Sequence, residues 1–376
     1  MEFVSQTWNY IWPFLVILTV IVFVHEAGHY LVARINRVRV EVFSIGFGPE
    51  LFGLNDRHGT RWKFSLLPLG GYVKFFGDAN VASAPGEETA ELTDDEKRYS
   101  FHHKRVGQRA AIVLGGPAAN FILAIVLFAI LFGTVGQRYT PAEINQVVAD
   151  SPAANAGLQT GDRITAVDGL KINRFEELQV IVQQSPEQVM LFEVERDGQL
   201  VSVNVTPALV EREDQFGTTH RVGQIGVAHA GVDFKKHGPA GAVWTAVEET
   251  AFMTWGTLKA VGQMISGNRS TEELGGPIRI AEMSSEVAKQ GFMTVLFFMA
   301  ILSINLGLIN LFPVPMLDGG HLVFYLFEAL RGRPVKPKVQ EIGFRIGFIL
   351  VIALMIWVTS KDLIRLGLVN FFESIF

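Results

Sequence analysis

The chain has 376 residues, 49% of them hydrophobic, no cysteine and a formal net charge of -5. Its mean hydropathy of +0.29 is too apolar for an ordinary soluble protein and suits a membrane protein with a soluble insert. The charge balance gives no footprint for nucleic acid. The absence of cysteine excludes disulfides and thiolate zinc sites, so a metal must be held by His and carboxylate ligands.

Four stretches reach the roughly 20 apolar residues that a membrane-spanning helix needs. The first runs from Trp8 to Ile35, the second lies between Arg109 and Arg138, the third runs from Gly291 to Leu317, and the fourth from Ile342 to Ser360. Arg345 sits near one end of the fourth, where a long side chain can snorkel. The N-terminus carries Glu2, no early Lys or Arg and no small-residue cleavage site, so it does not read as a cleavable signal peptide. Arg34, Arg37 and Arg39 follow the first span, Lys104, Arg105 and Arg109 precede the second, and Arg331, Arg333, Lys336 and Lys338 separate the third from the fourth. By the positive-inside rule these loops are cytoplasmic, and both termini and the insert between spans two and three are outside.

Inside the first apolar run stands His25-Glu26-Ala27-Gly28-His29. On a helix the two His stack one turn apart on one face, where they can share a metal ion. Glu26 is placed to take a proton from a water that the metal polarises, which is the chemistry behind the HExxH pattern of zinc peptidases. The bland alternative is a buried polar cluster without metal. Ionisable residues in a membrane helix are costly, and they point to function by default.

Val38 to Asp78 alternates as strand in Val38–Val42 and Arg61–Phe64, with a hairpin turn expected at Asn55–Gly59 and bends at Gly46, Gly48, Pro49 and Pro68–Gly71. Its many apolar residues, among them Phe43, Phe47, Leu66, Leu67, Tyr72, Phe75 and Phe76, make it an element that dips toward the membrane rather than a plain cytoplasmic hairpin. Ala79 to Arg98 is acidic and reads as a solvated loop. Gly115 to Asn120 opens the second span with small residues that let helices approach, a packing feature, with Asn120 able to bond a neighbouring helix.

Thr140 to Pro207 reads as a compact soluble domain. Ser151 to Asp162 gives a short helix and a turn, Ile164 to Val167 a strand, Asp168-Gly169 a turn, Phe175 to Gln184 a second helix, and Leu191 to Pro207 a hairpin turning at Asp197-Gly198. The SPAxxAGLxxGD stretch resembles the PDZ domains of bacterial membrane and periplasmic proteases. That resemblance implies a groove for an extended peptide, or a domain that only blocks access. Leu209 to Val232 is weakly strand-like. Pro239 to Met264 reads as an amphipathic helix with Trp244 and Trp255 in an interfacial pattern.

A catalytic zinc usually keeps three protein ligands. The metzincin continuation is excluded, because Val32 and Ile35 stand where its Gly and His would be. Glu41 and Glu50 are possible downstream ligands but fall in strand-like sequence. Asp318 is stronger. It closes Asn310-Leu311-Phe312-Pro313-Val314-Pro315-Met316-Leu317-Asp318-Gly319, where two prolines break the third apolar span. His321 competes with it.

HExxH in the first span with NxxPxPxLDG near the third resembles the site-2 protease family of intramembrane zinc metalloproteases. GFGP, PLGGYVKF, Gly115 to Asn120 and an inserted PDZ domain make the chain similar to the bacterial RseP type. The best-known members of that type carry two tandem PDZ domains, and this chain shows one. The resemblance implies Zn2+ held by His25, His29 and Asp318, Glu26 as general base, Asn310 orienting substrate, and the β region from Phe43 to Phe76 holding substrate as an added strand.

The expected architecture is a polytopic α-helical membrane protein with a membrane-associated β-hairpin region and an inserted PDZ domain. Its divisions are the first span (1–37), the β region (38–78), a cytoplasmic loop (79–108), the second span (109–137), the PDZ domain (138–208), a strand-like segment with the amphipathic helix (209–290), the third span with NxxPxPxLDG (291–330) and the fourth span with a short amphipathic tail (331–376). The expected place is a bacterial inner membrane, with the PDZ domain and both termini periplasmic. The expected activity is hydrolysis of peptide bonds within or near the spans of single-span membrane proteins, an anti-sigma factor or signal-peptide remnants among the candidates. The expected partners are that substrate, the lipid bilayer and a peptide ligand of the PDZ domain, with no nucleic acid. The alternatives are a membrane-anchored zinc peptidase of quality control acting outside the bilayer, and a non-catalytic PDZ scaffold.

Overall fold

The computed structural model describes residues 2–78, 92–213, 219–229, 233–267 and 275–365. Most of the expected acidic loop and the tail beyond Arg365 lie outside the described residues. Among those described, four helices are long and apolar enough to cross a membrane, Ile11–Ile35, Val106–Thr134, Phe292–Asn310 and Lys338–Arg365. The chain divides into two compact units, one formed by 1–128 with 275–376 and the other by 129–274.

The first unit opens with α1 (Glu2–Ile35), which carries the HExxH. The chain then enters the strands β1 (Val40–Asn55) and β2 (Arg61–Phe75), which pair antiparallel. Their ladder is not one straight hairpin. Glu50–Asn55 pairs with Arg61–Ser65 next to the turn, while Val40–Ile45 pairs with Gly71–Phe75 and also lies beside Arg61–Phe64. Both strands therefore bend back, and Gly46 and Gly48 take positive φ of 91° and 87° at the bend in β1. The result is a small curled sheet in which Gly71–Phe75 pairs, among the described residues, with Val40–Ile45. Phe43, fully buried, stacks on Trp62 with ring centroids 4.2 Å apart and meets Phe23 and Tyr30 of α1 edge-on. Asp56 in the turn ties the sheet to α1, accepting from Tyr30 Oη and Trp62 Nε1, both at 3.1 Å. After a short α2 (Asp94–Lys97), capped by Thr93, comes α3 (Val106–Thr134).

The second unit holds β3 (Gln137–Tyr139), β4 (Gln146–Val147), α4 (Pro152–Asn155), β5 (Arg163–Val167), β6 (Leu170–Lys171), α5 (Phe175–Gln183), β7 (Met190–Arg196), β8 (Gln199–Val205), β9 (Ala208–Glu213), β10 (Thr219–Gln224), β11 (Val227–Ala228), β12 (Asp233–Lys235) and α6 (Pro239–Ile265). β6-β5-β7-β8 form one sheet. The turn at Asp197-Gly198 joins β7 to β8, with both residues at positive φ. The core includes Ile144, Leu158, Ile164, Leu178, Phe192, Val194 and Val205, and also Ile225, which is 3% exposed. β11 pairs with β4 across the domain. The expected boundary at residue 208 is thus too early, because the strand that completes this core comes after the β9–β10 hairpin. α4, β5 and α5 start next to Ser151, Asp162 and Arg174, and the β7–β8 hairpin turns at Asp197-Gly198. α6 follows the expected amphipathic helix, with Trp244 and Trp255 exposed on it. A buried Arg174–Glu249 ion pair of 2.6 Å joins it to the start of α5.

The first unit resumes with α7 (Pro277–Gln290), α8 (Phe292–Asn310), α9 (Asp318–Arg331) and α10 (Pro337–Arg365). The third apolar stretch, Gly291 to Leu317, is broken before its prolines. α8 stops at Asn310, since Pro313 and Pro315 cannot donate to a continuing helix. The chain makes a tight turn, with Met316 at φ 89°, and Asp318 opens α9 rather than closing the span. Gly319 and Gly320 permit this turn, for a Cβ on either would overlap the carbonyls of Phe312 and Val314. α10 is anchored to α7 by Asp362, whose carboxylate accepts from Gly276 N at 3.2 Å and Arg279 N at 3.1 Å.

Candidate metal centre

One helical turn separates His25 from His29, and their Nε2 atoms lie 3.2 Å apart. Asp318, brought in by the turn after α8, places Oδ2 3.3 Å from His25 Nε2 and Oδ1 3.5 Å from His29 Nε2. Among the described residues this is the group of His and carboxylate side chains that could hold a metal, with one donor atom from each within 4.8 Å of the others. The donor set fits zinc. Two imidazoles and a carboxylate leave a fourth position open, and Asp318 Oδ2 is a buried carboxylate oxygen without a well-aligned hydrogen bond.

The centre sits in a cavity of about 210 Å³ lined also by Glu26, Gly71, Tyr72, Val73, Asn310 and His321. Glu26 is thus beside the two His, and the backbone of Val73 hydrogen-bonds to it. Asn310, the last residue of α8, reaches the same cavity. His321 lines it as well, but stands outside the donor group and faces Phe344 with ring centroids 4.9 Å apart. The two other acidic candidates are engaged elsewhere. Glu41 pairs with Lys74 at 3.0 Å, and Glu50 pairs with Arg61.

The glycines and Asn120 in the first half of α3 do more than the packing expected of them. α1 and α3 cross at Gly28 and Gly115. A Cβ on Gly28 would overlap the Gly115 carbonyl oxygen, and one on Gly115 would come within 2.7 Å of the Gly28 carbonyl oxygen. One residue on, a Cβ on Gly116 would overlap His29 Nε2 and lie 2.8 Å from His25 Cε1. Gly116 therefore leaves room for both imidazoles. His29 Nδ1 is 2.9 Å from the Ile112 carbonyl oxygen, and the Asn120 side chain lies 3.3 Å from His25 Nδ1. The sequence shows a run of small residues here. It does not show that the run stands over the HExxH.

Comparison with known proteins shows the family. The model of Peptidase family M50 matches residues 13–354. A Brucella suis protein bearing a zinc metalloprotease name is 47% identical over 93% of this chain and 94% of its own. One from Mesorhizobium japonicum, similarly named, is 45% identical over 93% and 97%. Metalloprotease MmpA of Caulobacter vibrioides is 35% identical over 96% and 97%. Among solved structures, the PDZ domain of an SdrC-like protein from Listeria monocytogenes covers 24% of this chain and 90% of its own, at 20% identity and a TM-score of 0.20. With the family model spanning all four apolar helices save the ends, the chain belongs to peptidase family M50, the site-2 proteases, and is a membrane zinc metalloprotease.

Proposed function

We propose that this protein cuts single-span membrane proteins within or near their membrane segments. The observation that carries the reading is the convergence of His25, His29, Asp318, Glu26 and Asn310 on one cavity, which Gly71, Tyr72 and Val73 of β2 also line. In this reading His25, His29 and Asp318 hold the zinc. Zinc, once bound, supplies the Lewis acidity that polarises a peptide carbonyl and brings the pKa of a water toward neutrality. Glu26 accepts the proton that the attacking water releases and returns it to the departing amine. Asn310 orients the substrate backbone.

A membrane helix shields its own peptide bonds, so it must unwind before attack. Gly71–Phe75, paired with Val40–Ile45 on one side, offers replacement hydrogen bonds to an extended peptide, which adds to it as a strand. In this reading the protein lies in a bacterial inner membrane with the insert and both termini periplasmic. The PDZ domain controls which substrates arrive, by size exclusion in preference to capture of a tail. The substrates are single-span proteins already trimmed outside the membrane, anti-sigma factors and signal-peptide remnants among them.

The test is cleavage of a purified single-span substrate in lipid, with the cut mapped by mass spectrometry. A cut within or next to the span, lost in Glu26→Gln while about one zinc per chain remains, is the expected result. Cuts confined to the soluble part would favour a peptidase working outside the bilayer. Loss of zinc together with activity in Glu26→Gln would make Glu26 a ligand.

A further inference from the structure

We propose that Asn120 fixes the tautomer of His25, its amide oxygen accepting the Nδ1–H so that Nε2 is left free to bind zinc. The inference rests on the reading of His25, His29 and Asp318 as ligands. A neutral imidazole that binds a metal through one nitrogen carries its proton on the other, and that proton needs an acceptor. Both imidazoles turn Nε2 toward each other and toward Asp318, at 3.2 to 3.5 Å. Both Nδ1 atoms therefore carry hydrogen. That of His29 meets the carbonyl oxygen of Ile112 on α3 at 2.9 Å. That of His25 faces the side chain of Asn120, also on α3, at 3.3 Å.

With the amide nitrogen turned to His25, two donors would oppose each other. The amide oxygen would then be buried with no hydrogen-bond partner. A half-turn of the amide gives the oxygen the His25 Nδ1–H as its partner and ends the opposition of two donors, and the orientation of an amide is properly assigned from such a network. Asn120 is well placed to hold this post. It is fully buried. Ser303 Oγ of α8 donates to its backbone carbonyl at 2.8 Å, and Gly307 packs so closely that a Cβ there would come within 3.2 Å of the Asn120 Cβ. α3 thus supplies one acceptor to each imidazole, a backbone carbonyl to His29 and a side-chain amide to His25.

The experiment measures zinc affinity of the purified full-length protein in detergent by competition with a chromophoric chelator, and the visible spectrum of the cobalt-loaded form. Asn120→Ala and Asn120→Leu should weaken zinc binding by about 10- to 100-fold and alter the cobalt bands. Asn120→Asp keeps an acceptor at the same place and should bind zinc as tightly as the native chain or more so. Ser303→Ala, which removes only the bond to the Asn120 backbone, should leave zinc affinity unchanged while lowering thermal stability.

If Asn120→Asp loses zinc as badly as Asn120→Ala, the amide donates to His25 and the assignment is wrong. If all three Asn120 variants bind zinc like the native chain, Asn120 only packs. His25→Ala separates this inference from the reading beneath it. A His25→Ala protein that keeps its zinc unchanged would overturn the ligand set itself. A zinc-deficient His25→Ala beside unaffected Asn120 variants would overturn the role of Asn120 alone.

Discussion

The crossing of α1 and α3 yields a sharp prediction for Gly115→Ala. The new Cβ would stand 2.7 Å from the Gly28 carbonyl oxygen and 3.0 Å from Val32 Cγ2, where ordinary contact begins at 3.4 Å, so the helices must part by about 0.7 Å. A shift of that size would stretch the 2.9 Å contact from His29 Nδ1 to the Ile112 carbonyl oxygen beyond hydrogen-bond range. Two energies oppose each other. Alanine is preferred to glycine inside a helix by up to ~1 kcal/mol, while overpacking a tight contact costs ~1–3 kcal/mol. The net effect on stability is small, at most ~2 kcal/mol. The loss of an outer hydrogen bond to His29, a proposed zinc ligand, is of comparable size and falls on the metal, about 10- to 100-fold in zinc affinity. Gly107→Ala on the same helix is the control, because nothing lies within 4 Å of its Cβ position, and it should leave stability equal or higher and zinc affinity unchanged. Chelator competition and thermal melting read both quantities. A Gly115→Ala protein with native zinc affinity and native cleavage would refute the idea that the α1–α3 distance sets the imidazoles.

Three further outcomes are expected. Asp318→Ala should lose zinc by more than the ~100-fold of an outer hydrogen bond, with activity, while His321→Ala keeps about one zinc per chain; metal analysis showing the reverse would move the ligand to His321. Partial burial pushes the Asp56 carboxyl up, but hydrogen bonds from the Thr60 and His58 backbone, Trp62 Nε1 and Tyr30 Oη hold it down at about 2. The stability it contributes is therefore fully present above its ordinary value of 3.8 and is lost as pH falls through about 2. Asp56→Asn should lower the melting temperature at neutral pH and flatten its fall in that acid window, and an Asn variant that melts like the native chain would remove Asp56 as the tie between sheet and α1. Because the chain has no cysteine, single cysteines report sidedness without background. An impermeant thiol reagent should label Gln199→Cys from the periplasm and spare Arg333→Cys, and the opposite pattern would invert the orientation.

Much of this protein is local information. The HExxH needs only a helix to stack its two His, and the long apolar run around it supplies that helix. Asp197-Gly198 tightens a hairpin wherever alternating strands flank it, and Pro313 and Pro315 stop a helix in any context. Such features depend on residues a few positions apart, so the sequence by itself determines them. Other features depend on partners far along the chain. The double bend of β1 and β2 was marked by its glycines, yet only the fold decides that Val40–Ile45 lies between two segments of β2 and leaves Gly71–Phe75 beside Glu26. The core of the insert closes with Ile225, past a hairpin that no composition shift announces. Asp318 was legible as a carboxylate after a broken span, but its place at the first turn of a new helix follows from how Gly319 and Gly320 fold against the turn. Gly116 and Asn120 look like packing residues in sequence because their meaning lies in the imidazoles that α1 sets against them, and a pairing across that many residues is fixed by helix packing, which no window of sequence contains.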